Sequence, residues 1–180
     1  MLQPLRQFGP PVADLFSVMS YVQMQTFFEP FFPPGRHTYV KSNFLGALSD
    51  DAIETLAQWA GTSPSPYSFA PFLEHWHGAA TRVGETDTAF PHRKHSYNLM
   101  FWSNWEGPTE TEANVEWTRS SWNALKPLLV EGSYQNYLSD EGEASARAAY
   151  GPNYDRLVAL KNKYDPTNFF RMNHNIKPSV

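Results

Sequence analysis

Two tyrosines that are three residues apart, Tyr134 and Tyr137, are the side chains of this sequence best suited to proton transfer. They lie in the segment GSYQNYLSDEG. An unperturbed tyrosine titrates near pH ~10, but a nearby cation or an oxidised cofactor allows a phenol to act as a general base. Most tyrosines with this spacing only pack against their neighbours, so the residue pattern by itself leaves both interpretations open.

Four histidines form a second group that could do chemistry. On a strand, His75 and His77 point to the same face, as two metal ligands would. His92 and His95 follow in the next loop, with Glu74 as a possible carboxylate ligand. No HxxxH or HExxH helix spacing accompanies them. We therefore expect histidines that line a groove or hydrogen-bond to loops, and no metal site.

Other common catalytic signatures are missing from the sequence. Without cysteine there are no disulfides, thiolate metal sites or cysteine nucleophile. Without GxGxxG, GxxxxGKS/T or GxSxG, dinucleotide, P-loop and α/β-hydrolase sites have no local support. A net charge of -4 argues against a general nucleic-acid binder. No apolar run reaches the ~20 residues of a membrane span, so a soluble, cytoplasmic chain is the default expectation, although the composition fixes no compartment.

The elements that must position these side chains follow from local patterns. Alternating aromatic and β-branched segments predict strands at 37–44, 67–77, 96–105 and, more briefly, 134–138. Start signals and apolar stripes predict helices at 49–60, 109–129, 143–150 and 152–164. The mixture indicates an α+β fold.

Strand 96–105 is the clearest of these elements. Its alternation places Leu99, Phe101 and Ser103 on one face. The other face carries Asn98, Met100, Trp102 and Asn104. The two asparagines predict a wet pocket on that face, with Trp102 open to a ligand. By contrast, Trp122 lies on the apolar stripe of a predicted helix and is expected in the core.

The last third of the chain carries a longer and more specific pattern. The pieces GPNYDRL, LKNKYDPTNFF and NHNIKP occur in that order between Tyr150 and Pro178. They resemble the C-terminal signature of the berberine bridge enzyme-like flavin oxidases, which belong to the vanillyl-alcohol oxidase type of flavoprotein. FPHRKHSYNLMFWSNW and GSYQNYLSDEG resemble upstream segments of the same family. PLRQFGPP and YVKSNFL extend the resemblance over nearly the whole chain.

This resemblance implies an antiparallel β-sheet flanked by helices, as a partial substrate-binding domain with a C-terminal return segment. The division implied is a substrate-binding part at 1–145 and a berberine bridge enzyme-like segment at 146–180. The family's flavin-binding domain precedes this region and nothing here matches it, so the residues that attach FAD are expected outside this chain. The implied partners are that missing flavin-binding domain and a small-molecule substrate.

The resemblance also implies residue roles. Tyr137 would be the base that takes the proton of a substrate hydroxyl, and Tyr134 a helper or a substrate contact. The side chains implied to face the substrate are Asn98, Met100 and Trp102. The side chains implied to contact FAD or to hold the return segment, unless they only make loop hydrogen bonds, are Asn136, Asn173 and Asn175.

Two functions are therefore open. The first is the substrate-binding portion of an FAD-dependent oxidoreductase that oxidises an alcohol, sugar or similar molecule by hydride transfer to flavin and is inactive alone. The second is a non-catalytic, aromatic-lined ligand-binding module derived from that fold. In both cases a sheet without its remaining half would expose a strand edge and an apolar face, which predicts self-association.

Overall fold

The chain forms two compact units, Met1–Pro34 and Gly35–Val180. The computed structural model describes residues 3–10, 14–137, 143–172 and 174–179. The first unit contains two short helices, α1 (Gln3–Phe8) and α2 (Tyr21–Thr26), and Ser20 begins α2 with a capping box. Across the described residues, no helix has the length and hydropathy that a membrane crossing requires.

The second unit is built on a four-stranded antiparallel sheet. Its strands are β1 (His37–Leu45), β2 (Phe69–His75), β3 (Tyr97–Trp105) and β4 (Leu129–Val130). Their order across the sheet is β2-β3-β1-β4. This arrangement confirms the predicted α+β fold, and the three long strands lie within two residues of their predicted bounds.

Among the residues that the structure describes, four α-helices accompany the sheet in this unit. They are α3 (Asp50–Trp59), α4 (Thr111–Leu125), α5 (Glu143–Tyr150) and α6 (Tyr154–Tyr164). α4 is shorter than the predicted 109–129 because 3-10 turns that contain prolines, Pro108–Glu110 and Lys126–Leu128, flank it. Pro127 has no N–H with which to continue the helical hydrogen bonds, and the chain passes from the second turn into β4.

One face of the sheet carries the apolar core. Leu99 and Phe101 of β3 pack there with Trp117 and Leu125 of α4. Trp122, which was predicted as a core residue, is half-buried against this cluster. The alternation predicted for β3 is therefore confirmed on this side of the sheet.

The segment 134–138, predicted as a short strand, is instead a 3-10 turn over Gln135–Tyr137, and Leu138 lies outside the described residues. Gly132 adopts φ +107, which bends the chain directly after β4. The amide of Tyr137 then donates to the carbonyl of Tyr134 at 2.9 Å, so backbone groups that a strand would offer to a neighbour close a local turn.

Large apolar side chains stay exposed near the end of the chain. Phe169 and Phe170 are 77% exposed and Met172 is 83% exposed. Strand β2 also lies at an edge of the sheet. Self-association of the isolated chain stays a prediction, and these surfaces are where we expect it.

Candidate active site

The face of the sheet opposite the apolar core carries polar and aromatic side chains. The strand register pairs Asn98 of β3 with Glu74 of β2 and with Phe44 of β1. Residues that face each other across antiparallel strands lie side by side on one face. Met100 and Trp102 continue the same face along β3, so the structure places these predicted site residues in one row.

Glu74 is the carboxylate on which this face converges. Its Oε1 accepts a hydrogen bond from Tyr137 Oη at 3.0 Å. Its Oε2 accepts from Asn98 Nδ2 at 2.9 Å and from Trp76 Nε1 at 3.3 Å. The donors come from three separate segments, so the carboxylate ties the 135–137 turn to β3 and to the end of β2.

The phenol of Tyr137 is half-buried and donates its proton towards Glu74. Burial, followed by the negative charge of Glu74 and the hydrogen bond to it, raises the pKa of Tyr137 well above its ordinary value. The phenol is therefore neutral at physiological pH. Its oxygen still has lone pairs that can accept a proton from a substrate hydroxyl, while its own proton points at a carboxylate.

Two aromatic rings lie next to this phenol, and Asn136 binds one of them. The ring of Tyr134 meets that of Tyr137 edge-on, with centroids 4.9 Å apart, and Trp102 lies 6.2 Å from it. Asn136 donates from Nδ2 to the Tyr134 hydroxyl at 2.7 Å. The structure thus brings together both predicted tyrosines, one predicted flavin-contact asparagine and the predicted substrate-facing tryptophan.

The asparagines of β3 do not line a wet pocket. Asn98 and Asn104 are buried, at 0% and 5% exposure, so that expectation was wrong. The amide of Asn98 is used by Glu74, and that of Asn104 donates to the carbonyl of Tyr67 at 3.2 Å. The Oδ1 atom of Asn98, however, is buried without a hydrogen-bond partner among the described residues. Met100 is also buried, whereas Trp102 stays partly exposed.

A pocket of about 440 Å³ lies beside Tyr134. Its lining includes His75, Trp76, His77, Phe90 and Arg93. Phe90 meets Trp76 and Tyr134 edge-on, at centroid distances of 5.2 and 5.4 Å. Within the part of the chain that the structure describes, no three His, Asp or Glu side chains cluster in a way that suits a metal ion.

The rings of His92 and His95 pack against Phe44. Both rings have centroids 4.9 Å from that of Phe44. His92 also donates from Nε2 to the carbonyl of Ala149 at 2.9 Å, which links the loop before β3 to α5. Burial lowers the pKa of both histidines. A Cβ at Gly132 would lie 2.3 Å from the His92 ring, so this packing requires glycine there.

The remaining predicted flavin-contact residues lie near the C-terminus. Asn173 lies outside the described residues. Asn175 is described, and its Oδ1 is buried with no hydrogen-bond partner among the described residues. A buried acceptor without a donor costs about 1–3 kcal/mol, so this oxygen is suited to a donor from another molecule or another part of a longer protein.

Sequence reasoning missed the central role of Glu74, which it weighed as a metal ligand. The available signal was one acidic residue, next to His75, at the end of the mostly apolar strand sequence FAPFLEH. Charged residues on such strands are usually paired when they are buried. The identity of the partners depends on strand register and on the 135–137 turn, neither of which a local pattern reveals.

The chain is similar to known proteins over nearly its whole length. Residues 133–177, which include Tyr134 and Tyr137, match the family model described as berberine and berberine like. An FAD-linked oxidoreductase of Dictyostelium discoideum is 32% identical over 98% of this chain and 39% of its own length. The uncharacterized FAD-linked oxidoreductase YgaK of Bacillus subtilis is 30% identical over 99% of this chain and 40% of its own length.

Solved structures show the same fold. Berberine bridge enzyme-like 28 from Arabidopsis thaliana superposes with a TM-score of 0.78 and 20% identity, over 99% of this chain and 44% of its own. Phl p 4.0202, a glucose dehydrogenase, superposes with a TM-score of 0.72 and 19% identity, over 90% of this chain and 39% of its own. The chain spans about two fifths of the length of these relatives. It belongs to the berberine bridge enzyme-like family of FAD-linked oxidoreductases, and it corresponds to the C-terminal portion of such a protein.

Proposed function

We propose that this chain is the substrate side of an FAD-dependent oxidoreductase, in which Tyr137 takes the proton of a substrate hydroxyl and passes its own proton to Glu74. The observation that carries the proposal is the 3.0 Å hydrogen bond from Tyr137 Oη to Glu74 Oε1. The curated relatives are FAD-linked oxidoreductases, which supports flavin as the oxidant. The substrate class is an alcohol, a sugar or a similar small molecule.

Oxidation of an alcohol to a carbonyl removes a proton from oxygen and a hydride from carbon. Bound FAD supplies the hydride acceptor. Tyr137 accepts the hydroxyl proton at Oη while its phenolic proton moves to Oε1 of Glu74, so the phenol stays neutral throughout. A raised pKa of Tyr137 fits this role, because the tyrosinate never has to form. Glu74 then releases the proton before the next turnover.

Neighbouring side chains orient this pair. Asn98 and Trp76 hold Oε2 of Glu74, which leaves Oε1 directed at Tyr137. Tyr134 and Trp102 form the aromatic wall against which a substrate ring or sugar face can pack. Met100 lies on the same face of β3 and is buried.

The residues present fit one side of a flavin. The partly exposed aromatic wall offers a surface for a flat ring, and Asn175 carries an acceptor that lacks a donor among the described residues. Asn136 and Asn173 are the other proposed flavin contacts. The sequence has no glycine-rich phosphate-binding motif, so we assign phosphate binding to the flavin-binding domain that this chain would require as its partner.

A second candidate is a non-catalytic ligand-binding module. The open pocket of about 440 Å³ next to Tyr134 favours it, because the isolated chain already offers an aromatic-lined cavity. This alternative predicts that a ligand binds but that no flavin reduction follows, with or without Tyr137.

The test joins the chain to the flavin-binding portion of a relative such as YgaK. Flavin reduction would be followed by absorbance under anaerobic conditions with D-glucose, cellobiose and benzyl alcohol. Tyr137→Phe is expected to slow reduction by about 10²–10⁴-fold while ligand binding survives, because proton transfer is lost. Tyr150→Phe is the matched control, since burial also raises the pKa of that tyrosine at the end of α5. Reduction at full rate by Tyr137→Phe would refute the proposal, and binding without any reduction would favour the module.

A further inference from the structure

Asn153 ends the 3-10 turn Gly151–Asn153 between α5 and α6, and it is 3% exposed. Its Nδ2 lies 2.8 Å from the carbonyl oxygen of Glu85, 3.1 Å from that of Thr88 and 3.5 Å from that of Ala89. An amide nitrogen has two hydrogens. Three loop carbonyls therefore turn inwards to share the two donors of one buried side chain.

The loop that Asn153 holds has little regular structure of its own. Residues 82–96 contain no helix or strand. Asp87 accepts from the amide of Gly84 at 3.0 Å, and Arg156 donates to the carbonyl of Thr86 at 3.5 Å, but both contacts are exposed. Exposed hydrogen bonds hold a loop weakly because water competes for them, so the buried amide of Asn153 is the stronger tether.

Phe90 follows directly after the tethered segment and reaches the candidate active site. Its ring packs edge-on against Trp76 and Tyr134. Trp76 donates to Glu74, and Tyr134 packs against Tyr137. The loop is thus linked to the Tyr137–Glu74 pair through Phe90 and then through Trp76 and Tyr134.

Arg93 holds the same loop from its other end. Its guanidinium donates to the carbonyls of Phe90 and Ala80, at 3.3 and 3.1 Å, and to Oγ1 of Thr88 at 2.9 Å. It also lies 5.0 Å from the centroid of the Phe90 ring. Thr88 and Asn153 are 65 residues apart in the sequence. Arg93 of the FPHR segment and Asn153 of the GPNYDRL segment therefore both hold this loop.

We propose that Asn153 is a positioning residue of the candidate active site: its buried amide fixes the backbone of residues 85–89, and this loop holds Phe90 against Tyr134 and Trp76. The effect of Asn153 on catalysis rests on the proposed function, because displacement of Phe90 loosens the aromatic wall that orients Tyr137. A substrate facing that wall would then meet a misaligned phenol.

The test uses the full chain labelled with 3-fluorotyrosine, with the signals of Tyr134 and Tyr137 assigned from their phenylalanine variants. Asn153→Asp keeps the side-chain shape but replaces both donors with an acceptor that faces three carbonyls. We expect it to shift the Tyr134 fluorine signal and to speed amide exchange at 85–89 by about tenfold, with β3 and α4 unchanged.

Asn162→Asp on α6 is the matched control. Its amide exchanges hydrogen bonds with Ser179, so it should leave both the loop exchange and the Tyr134 signal unchanged. Phe90→Leu is the second variant in case Asn153→Asp fails to fold. It keeps the loop tethers but removes the ring, and it should shift the Tyr134 signal without faster loop exchange.

Two results would overturn the proposal. Faster loop exchange with an unchanged Tyr134 signal would reduce Asn153 to a loop anchor, and a uniform rise in exchange across β3 and α4 would reduce it to a stability residue. Neither measurement needs turnover. If Tyr137→Phe reduces flavin at full rate, the proposed function fails while the coupling between Asn153 and Tyr134 is still measured.

Discussion

The two faces of the sheet use alternate residues of the same strands but are held together in different ways. The helix-covered face is an apolar cluster built on Leu99 and Phe101. The opposite face is centred on Glu74 and its three hydrogen-bond donors. Apolar packing tolerates substitution of similar volume, whereas a half-buried carboxylate depends on its donors to offset the loss of water. The first face therefore contributes mainly to stability, and the second orients the phenolic proton of Tyr137 towards Glu74.

The largest effect is expected from emptying the apolar face. Phe101 is fully buried, so Phe101→Ala should lower the free energy of unfolding by about 3–5 kcal/mol through lost burial and a cavity. Urea unfolding measures this change. Phe72→Ala, on a side chain 39% exposed, is the control and should cost much less. Equal losses for the two variants would contradict the conclusion that the helix-covered face contributes more to stability.

A smaller effect on stability, but a larger effect on the site, is expected from Glu74→Gln. An amide offers its oxygen to one side only, so either Tyr137 or the Asn98 and Trp76 donors would face an NH₂ group, at a cost of about 1–3 kcal/mol. Loss of the carboxylate charge should also lower the pKa of Tyr137 towards its ordinary value.

Urea unfolding and the Tyr137 fluorine signal together measure these consequences. Glu116→Gln, an exposed acid on α4, is the control and should stay within about 0.5 kcal/mol. A Tyr137 signal that does not respond to Glu74→Gln would contradict the pairing of phenol and carboxylate.

The smallest effect is expected from a change of pH between 7.5 and 5.5. Burial lowers the pKa of His92 and His95 in the folded state, so the unfolded chain binds more protons below the ordinary histidine pKa of about 6.5. Stability should therefore be full above that pH and fall as the pH drops towards the folded-state values. Urea midpoints at the two pH values measure the loss, and a His92→Asn, His95→Gln double variant should show a flatter profile. A profile in that variant as steep as in the original chain would assign the pH dependence to other groups.

Sequence patterns anticipated the elements that depend on local alternation. The two faces of β3 and the start of α3 at Ser49 follow from residue spacing and capping chemistry. The 134–138 segment was wrongly predicted as a strand because its conformation follows from the bend at Gly132. That bend packs against the ring of His92, which is distant in the sequence.

The candidate site was anticipated in several of its members, but not in the role of Glu74 or in its geometry. Resemblance indicated Tyr137, Tyr134, Asn98 and Trp102, and the structure brings them to one face. The burial of Asn98 and the position of Glu74 depend on which strands pair and in which register. Register is set by contacts between distant segments, so a single segment carries no record of it.

The hydrogen bonds to Glu74 also bear on the order in which the chain folds. Tyr137 is 63 residues from Glu74 and Asn98 is 24 residues from it. Closing loops of such lengths costs entropy that contacts already formed must offset. We therefore expect the Tyr137–Glu74 hydrogen bond to be among the last contacts made, after β1, β2 and β3 have paired. A chain that stops short of its native state then lacks the Tyr137–Glu74 hydrogen bond, so under the proposed function completion of folding is itself a condition for reactivity.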